Sequence, residues 1–372
     1  MTYAHITGWG KALPERILTN DEISKLVDTN DEWIRTRTGI EERRIAADDE
    51  SSATLAVDAS LRALEVANLS AFDLDLVIVA SSTPEHLFPA TASIVQNRIG
   101  AINAGAFDIL AACTGFVFAV NMATQAIKSG SMENILVVGA ETTSRFVDWT
   151  DRNTCILFGD GAGAFVLQAD EEPGGVLSGV MHSDGSGADL LSLPAGGSKE
   201  PASEKTLVEG RHFMQMEGKG VFRFATRVMA GATKEALEKA GLEAKDLSLV
   251  IPHQANIRII EAAARGLKLP MDKFMVNLDK YGNTSTASVP IATVEAVESG
   301  RLKAGDKIAF VAFGGGLSWG ALTAKWTGPR PTVRKVYQKR YLFLAKVRSV
   351  LLRAIRMVEG MLWGDNGRDK NL

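Results

Sequence analysis

Cys113 is the residue whose type and setting most directly suggest covalent chemistry. Ala106 to Leu110 reads as a short buried strand, Ala111 to Gly115 as a tight turn, and Phe116 to Lys128 as a helix with apolar residues at 116, 117, 120, 123 and 127. A thiol at that helix start meets unpaired backbone N–H groups and the positive end of the helix dipole, which favour thiolate over an unperturbed pKa of about 8.5. The same pattern also describes a small apolar plug under a sheet. Cys155, in Thr154 to Phe158, reads as mid-strand, buried and inert. His253, one of five histidines, follows a strand ending at Pro252; strand C-terminal ends carry the chemistry in open α/β sheets, although a lone histidine there can equally be structural. The loop Ser81 to His86 occupies the same place after an earlier strand, so the two loops should flank one site.

A second cluster sits near the N-terminus. Trp33, Arg35, Arg37, Arg43 and Arg44 place a flat aromatic beside several guanidinium groups, a set able to stack a purine and clamp phosphates, or simply to snorkel over a surface. The glycine-rich stretches Phe158 to Ala164 and Phe313 to Gly316 lack the spacing of phosphate loops. They read instead as points of close backbone approach, where main-chain N–H groups reach a bound carbonyl oxygen.

The frame that must position these residues is large and duplicated. With 372 residues, 46% hydrophobic and 23% charged, the chain is globular and long enough for one large or two ordinary domains. Two widely spaced cysteines exclude a disulfide framework and a Cys-rich zinc site, which fits a reducing cytoplasm. Met1 to Gly10 shows no secretory pattern, and no uncharged apolar run is long enough to span a bilayer. Ala63 to Ile78 matches Ala236 to Ile251 at an offset of 173, with 11 identities in 16 positions. Each copy is a helix leading into a buried strand, so the two halves are duplicates of an α/β unit whose sheets are buried on both faces. An offset of 170 between Ser129 and Ser299 sets Asn283, ahead of the second-half helix, opposite Cys113.

Taken together, Ala111-Ala112-Cys113-Thr114-Gly115-Phe116, His253-Gln254-Ala255-Asn256-Ile257-Arg258, Gly282-Asn283-Thr284-Ser285 through Pro290, and Ala312-Phe313-Gly314-Gly315-Gly316 resemble β-ketoacyl-acyl-carrier-protein synthase III of the thiolase superfamily. The resemblance covers Met1 to about Thr327. It implies a thiolase-like five-layer αβαβα fold of two halves, 1–170 with the cysteine and 171–328 with the histidine and asparagine, in a cytoplasmic homodimer. It further implies that Cys113 takes an acyl group from acyl-CoA, and that His253 and Asn283 stabilise the enolate from decarboxylated malonyl-acyl carrier protein. Backbone N–H groups of Cys113 and the Gly314–Gly316 turn, next to Phe313, would hold the oxyanion. Trp33 and Arg152 would sandwich the adenine of CoA, Arg37 would meet its phosphates, Asn256 and Arg258 would line the pantetheine tunnel, and Phe88 would wall the acyl pocket. Arg258 and Arg265 would lie on a basic rim for the acidic carrier. CoA thioester is then a substrate, and no metal or redox cofactor is expected. A thiolase would show a second catalytic cysteine near the C-terminus and hydroxymethylglutaryl-CoA synthase an added glutamate base; a non-catalytic membrane or partner adaptor on the same fold, or a related condensing enzyme of secondary metabolism, are the alternatives. No nucleic acid is expected, because the acidic body would repel a polyanion.

Beyond Gly328-Pro329-Arg330-Pro331 lies a different object, 329–372. From Arg330 to Leu372 eleven Lys/Arg face three Asp/Glu, a net of +8, which leaves −11 to the rest of the chain's total of −3. Leu344, Val347, Leu351, Ile355, Val358 and Leu362 fall on one helical stripe, with Lys346, Arg353 and Arg356 off it. This basic amphipathic C-terminal helix, over 341–363, suggests a peripheral membrane anchor, a docking helix for a partner, or a segment folded back on the acidic body.

Overall fold

Apolar strands alternating with helices give two sheets that share one plan. The computed structural model describes residues 1–330, 336 and 338–362, with side chains for all of these except 338–340 and 360–362. The first half runs through β1 (Tyr3–Ala12), β2 (Arg16–Thr19), α1 (Asn20–Ile23), α2 (Asp31–Thr38) and β3 (Glu42–Ile45). It continues with α3 (Ser52–Ala67), β4 (Leu76–Ala80), α4 (Thr91–Ile99), β5 (Gly105–Ile109), α5 (Gly115–Lys128), β6 (Asn134–Glu141), α6 (Arg152–Cys155) and β7 (Gly161–Asp170). The second half begins with β8 (Gly175–Ser183), β9 (Leu191–Ser192), α7 (Glu204–Val208), β10 (Gln215–Met216), α8 (Gly218–Lys239) and β11 (Leu249–Pro252). Then follow α9 (Ile257–Leu267), α10 (Leu278–Tyr281), α11 (Ser288–Glu298), β12 (Lys307–Gly314), β13 (Ser318–Lys325) and α12 (Gln338–Leu362).

The five-stranded sheet has the order β1-β7-β6-β4-β5 and the four-stranded sheet β8-β13-β12-β11. Directions correspond as well: β4 with β6 and β11 with β12 are parallel, whereas the remaining pairs out to β1 and β8 are antiparallel. The counterpart of β5 shrinks to a single bridge between Val250 and Phe274. Strands β4 and β11, helices α5 and α11, and strands β6 and β12 all start 173 residues apart. Thr286, not Asn283, is therefore the counterpart of Cys113. The offset of 170 belongs only to the far ends of the helices, because α11 has 11 residues and α5 has 14, a difference of about one turn.

Side-chain alternation along the strands builds the layers. Val77 and Val79 of β4 face α3 and α4, packing with Leu64, Val95 and Ile99, while Ile78 faces the central layer of α5 and α11. On the other sheet Ile251 and Phe310 face that same central layer, and Val250 and Val311 pack under α8 and α9. The result is helix, sheet, helix, sheet, helix, with α5 and α11 sandwiched between the sheets and their starts aimed at one place.

Two local expectations are corrected. β5 is an edge strand, paired only with β4, and it is not buried: Phe107 is 43% and the following Leu110 77% exposed. Cys155 closes the short helix α6 and is not mid-strand, although it is buried as expected. The cause is Asp151, whose side chain accepts from Asn153 N–H and caps the turn, overriding the β-type run Thr154 to Phe158.

Candidate active site

The two central helices enter through matching turns. Ahead of α5, Ala112 has φ of 44°; ahead of α11, at the equivalent position, Ser285 has φ of 48°. Left-handed backbone in a non-glycine residue typically costs of order 1–3 kcal/mol and persists only where packing imposes it. Here both turns are imposed, and each presents the next residue, Cys113 or Thr286, to the same interior. Gly314, at the end of β12, completes the enclosure: a Cβ there would stand 2.7 Å from Cys113 N, so only glycine lets this strand end reach the cysteine backbone.

Hydrogen bonds connect two of the three polar residues singled out in the sequence. His253 N–H donates to Val311 O at 2.8 Å, prolonging the β11–β12 ladder and setting the ring at the strand end. Its Nδ1 lies 2.6 Å from Ser288 Oγ, and Ser288 Oγ lies 2.9 Å from Ser285 O. Ser285 N–H donates to Asn283 Oδ1 at 2.8 Å, which turns the amide NH₂ of Asn283 the other way. The Ser285 side chain also acts on the Cys113 thiol, whose pKa it lowers, while its hydroxyl proton goes to Glu141 Oε1. His253 and Asn283 thus hang on one short run of polar atoms, with Phe313 packed edge-on against the His253 ring at 5.2 Å.

The electrostatics differ from the expectation for the thiol. Burial pushes Cys113 up to about 12; the Ser285 side chain pulls it down, nearby Glu141 raises it, and its own backbone N–H lowers it slightly. The helix start therefore does not deliver a resting thiolate, because desolvation of a buried anion outweighs the dipole. Burial likewise drives His253 down to about 3, so the imidazole is neutral. Burial thus works against a preformed thiolate–imidazolium pair from both sides. His253 Nε2 is buried and without a partner among the described residues, free for a ligand atom.

Sequence reading missed Glu141. This fully buried carboxylate, at the end of β6, accepts from Ser82 N–H (3.1 Å), Thr83 N–H (3.0 Å) and Thr83 Oγ1 (2.7 Å) on one side. On the other it accepts from Ser285 Oγ and Thr286 Oγ1, both at 2.9 Å. Burial pushes its carboxyl above the usual range, and those donors pull against that. Every partner is a donor, the shell that an anion needs. Glu141 joins the turn after β4 to the turn before α11, one from each half. The visible signal was a carboxylate ending the apolar run Ile135 to Ala140.

The aromatic and basic cluster expected near the N-terminus forms only in part: Arg43 is fully buried, donating to Leu18 O, Asn20 Oδ1 and Ile156 O, Arg35 pairs with Asp31 and Glu41, and Arg44 donates to Pro14 O, which leaves Arg37 with Trp33 at the surface. The Arg152 guanidinium lies 5.1 Å from the Trp33 ring centroid and that of Arg37 5.7 Å. Arg152 also donates to Asp28 O at 2.9 Å, so a base entering between Arg152 and Trp33 must first lift the arginine. That contact is worth only about 0.5–1 kcal/mol at an exposed site, less than stacking a base returns. Asn256 Nδ2 donates to Arg37 O at 3.0 Å while its Oδ1 caps α9 by accepting from Arg258 N–H at 2.9 Å, tying this cluster to the loop after His253. Arg258 stacks on Phe222 at 5.4 Å and, with Lys219 and Arg223, rims an open cavity of about 500 Å³. Arg265 is exposed and lies one turn from Glu261 at 4.0 Å.

Phe88, expected to wall the acyl pocket, lies on the loop after β4 and is 86% exposed in the single chain. One placement runs against the sequence reading. Gly159 does approach another backbone closely, but its N–H is spent on Asn283 O at 3.0 Å and cannot serve a bound carbonyl. Of the two glycine-rich stretches only Gly314 to Gly316 lies at the cysteine; Gly315 and Gly316 form the turn between β12 and β13.

Comparison with known proteins matches two family models, 3-oxoacyl-[acyl-carrier-protein (ACP)] synthase III over residues 107–185 and its C-terminal counterpart over 237–326. A β-ketoacyl-[acyl-carrier-protein] synthase III from Roseiflexus sp. (strain RS-1) is 52% identical over 325 residues, 87% of this chain and 99% of that protein. Another, from Caldanaerobacter subterraneus subsp. tengcongensis, is 53% identical over 87% of this chain and 98% of its own length. Among solved structures, 3-oxoacyl-[acyl-carrier-protein] synthase III from Aquifex aeolicus VF5 superposes with a TM-score of 0.81 at 47% identity, covering 87% of this chain and 100% of that one. The priming β-ketosynthase of the R1128 polyketide biosynthetic pathway gives 0.82 at 38% identity, over 88% and 97% of the two chains.

Proposed function

This chain belongs to the β-ketoacyl-[acyl-carrier-protein] synthase III family, and on that premise we propose that it condenses an acyl-CoA primer with malonyl-acyl carrier protein to start fatty-acid synthesis. The observation that carries the reading is that the start of α5 with Cys113 and the start of α11 converge, where a run of hydrogen bonds through Ser288 and Ser285 ties His253 to Asn283. Cys113 Sγ attacks the thioester carbonyl, CoA leaves with the proton, and the acyl group stays on sulfur. The thiol starts protonated, so its proton moves with the attack rather than before it. Backbone N–H groups of Cys113 and of the Gly314–Gly316 turn would hold the oxyanion, a role supported by the close approach of Gly314 to Cys113 N.

In the second half-reaction the malonyl carboxylate departs as carbon dioxide and its bonding pair becomes an enolate. Neutral His253 and the NH₂ of Asn283 donate to the enolate oxygen; the enolate carbon then attacks acyl-Cys113 and releases the β-ketoacyl product. Donation from Nε2 requires its proton, and the orientation of the Ser288 hydroxyl is coupled to that tautomer. When the Ser288 hydroxyl donates to Nδ1 the proton resides on Nε2; when it turns to Ser285 O, Nδ1 carries the proton instead. CoA binds as substrate through Trp33, Arg37 and Arg152, and the cavity rimmed by Lys219, Arg223 and Arg258 offers a cationic seat for the acidic carrier. No metal or redox group enters these steps. Both substrates place the enzyme in the cytoplasm.

Incubation with an acyl-CoA panel, followed by malonyl-acyl carrier protein, tests the reading. The chain should gain the mass of one acyl group and lose it as β-ketoacyl-carrier protein forms. An enzyme that never becomes acylated, or whose acyl group passes to water and not to the carrier, would refute it.

The proposal extends to a homodimer. The free edge of β5 with exposed Phe107 and Leu110, and the exposed Leu87 and Phe88, offer apolar surface of the kind that pairing covers. Sedimentation velocity at micromolar concentration should give a dimer, which Leu110→Glu dissociates; a monomer at that concentration would rule this pairing out.

A further inference from the structure

The family models end at Trp326, and relatives matched over nearly their whole length leave 47 of the 372 residues here unmatched. Helix α12 lies beyond that end. The side it turns to the body is narrow: Ala345 sits against Gly100 at the end of α4 and Tyr341 packs on Phe72 with ring centroids 5.5 Å apart, while just ahead of the helix Val336 N–H donates to Asn68 Oδ1 at 2.7 Å. The stripe lies elsewhere on the helix. Leu344, Val347, Leu351, Ile355 and Val358 are all exposed, so the helix is docked yet its apolar stripe is not folded back on the body. The sixth stripe position, Leu362, and residue 363 lie outside the residues whose side chains are described.

We propose that α12 is an interfacial membrane helix that lays this stripe into the headgroup region of an anionic bilayer. Its length of about 37 Å at 1.5 Å per residue would reach across a bilayer, but among the described residues no helix is long and apolar enough to cross one, so it lies along the surface. Charge selects the occupant. Between Gln338 and Leu362 six Lys/Arg face one acidic residue, Glu359. Among the described residues Lys346, Arg348, Arg353 and Arg356 form no ion pair, Arg353 reaching only Ser349 Oγ at 3.4 Å. A second copy of the helix would cover the stripe but bring like charges together. A soluble polyanion would neutralise the cations but leave the stripe wet. A bilayer with anionic headgroups supplies both an apolar layer and the opposite charge, at the depth an amphipathic helix needs.

Co-sedimentation of the full chain with vesicles of phosphatidylcholine, with and without phosphatidylglycerol, tests this. The chain should pellet with the anionic vesicles, lose affinity as salt rises, and weaken about fivefold for each basic residue neutralised near the surface. Leu351→Glu with Ile355→Glu should reduce binding by about tenfold or more while acylation by acyl-CoA continues unchanged, showing that the body is folded. The proposal is overturned if the full chain stays in solution with phosphatidylglycerol vesicles, or if the double variant pellets as the wild type does. Tail-dependent self-association without any vesicle binding overturns it too, in favour of a second copy. Acylation is read separately, so failure here leaves the condensing activity standing, and failure of acylation leaves the vesicle result readable.

Discussion

Cys113→Ala should abolish transfer of the acyl group from CoA, a loss on the order of 10⁴-fold or more, whereas Cys155→Ala should retain it within a few-fold. Both cysteines are free and buried, so burial does not distinguish them. Their surroundings do. Cys113 stands at the start of α5, with Gly314 pressed against its backbone and the Ser285 side chain acting on its thiol. Cys155 sits in α6 in the core cluster around Ile34, Ile156 and Phe158, its thiol pushed up to about 11 by burial first and by Asp151 second, with no open strand end before it. Peptide mapping after brief exposure to labelled acyl-CoA reads the outcome. Cys113→Ala should still decarboxylate malonyl-carrier protein, because the enolate donors are intact; label on Cys155, or undiminished turnover without Cys113, would end the mechanism.

The second large effect divides the half-reactions. His253→Ala and Asn283→Ala should each cost about 10²-fold or more in decarboxylation and condensation, the usual loss for one donor to a developing oxyanion, yet spare most of the acylation of Cys113. The reason lies in the shifted thiol and imidazole: a histidine held neutral down to about pH 3 is a poor base for a thiol held protonated up to about 12. It remains a good neutral donor. Ser288→Ala should resemble a weaker His253→Ala, because it frees the tautomer and leaves the ring in place. Single-turnover acylation and malonyl decarboxylation, measured separately for each variant, decide the matter. Equal loss in both steps would make His253 a base toward Cys113 after all.

Much of this was readable in the residues. The 173-residue repeat announced two halves, and the sheets share one strand order because each copy carries the same run of helix and two-faced apolar strand. Cys113, His253 and Asn283 were legible because each sits where an element ends, and a polar residue after an apolar strand or before an apolar helix stands out. Glu141 was harder: its partners come from Ser82 and Thr83 in one half and Ser285 and Thr286 in the other, an encounter that no spacing along the chain encodes.

The division follows from range. Periodicity, strand-end polarity and the basic stripe of the tail are properties of a dozen consecutive residues, so the sequence alone determined the layered α/β plan, the candidate nucleophile and the amphipathic character of α12. Desolvation and hydrogen bonding depend on what other segments bring to a point. Only the tertiary structure could decide that burial at Cys113 outweighs the helix dipole, that His253 stays neutral with Ser288 on its Nδ1, and that Thr286 stands where the repeat places the cysteine. For the tail it decided which face docks: Tyr341 and Ala345 on the body, and the apolar stripe outward.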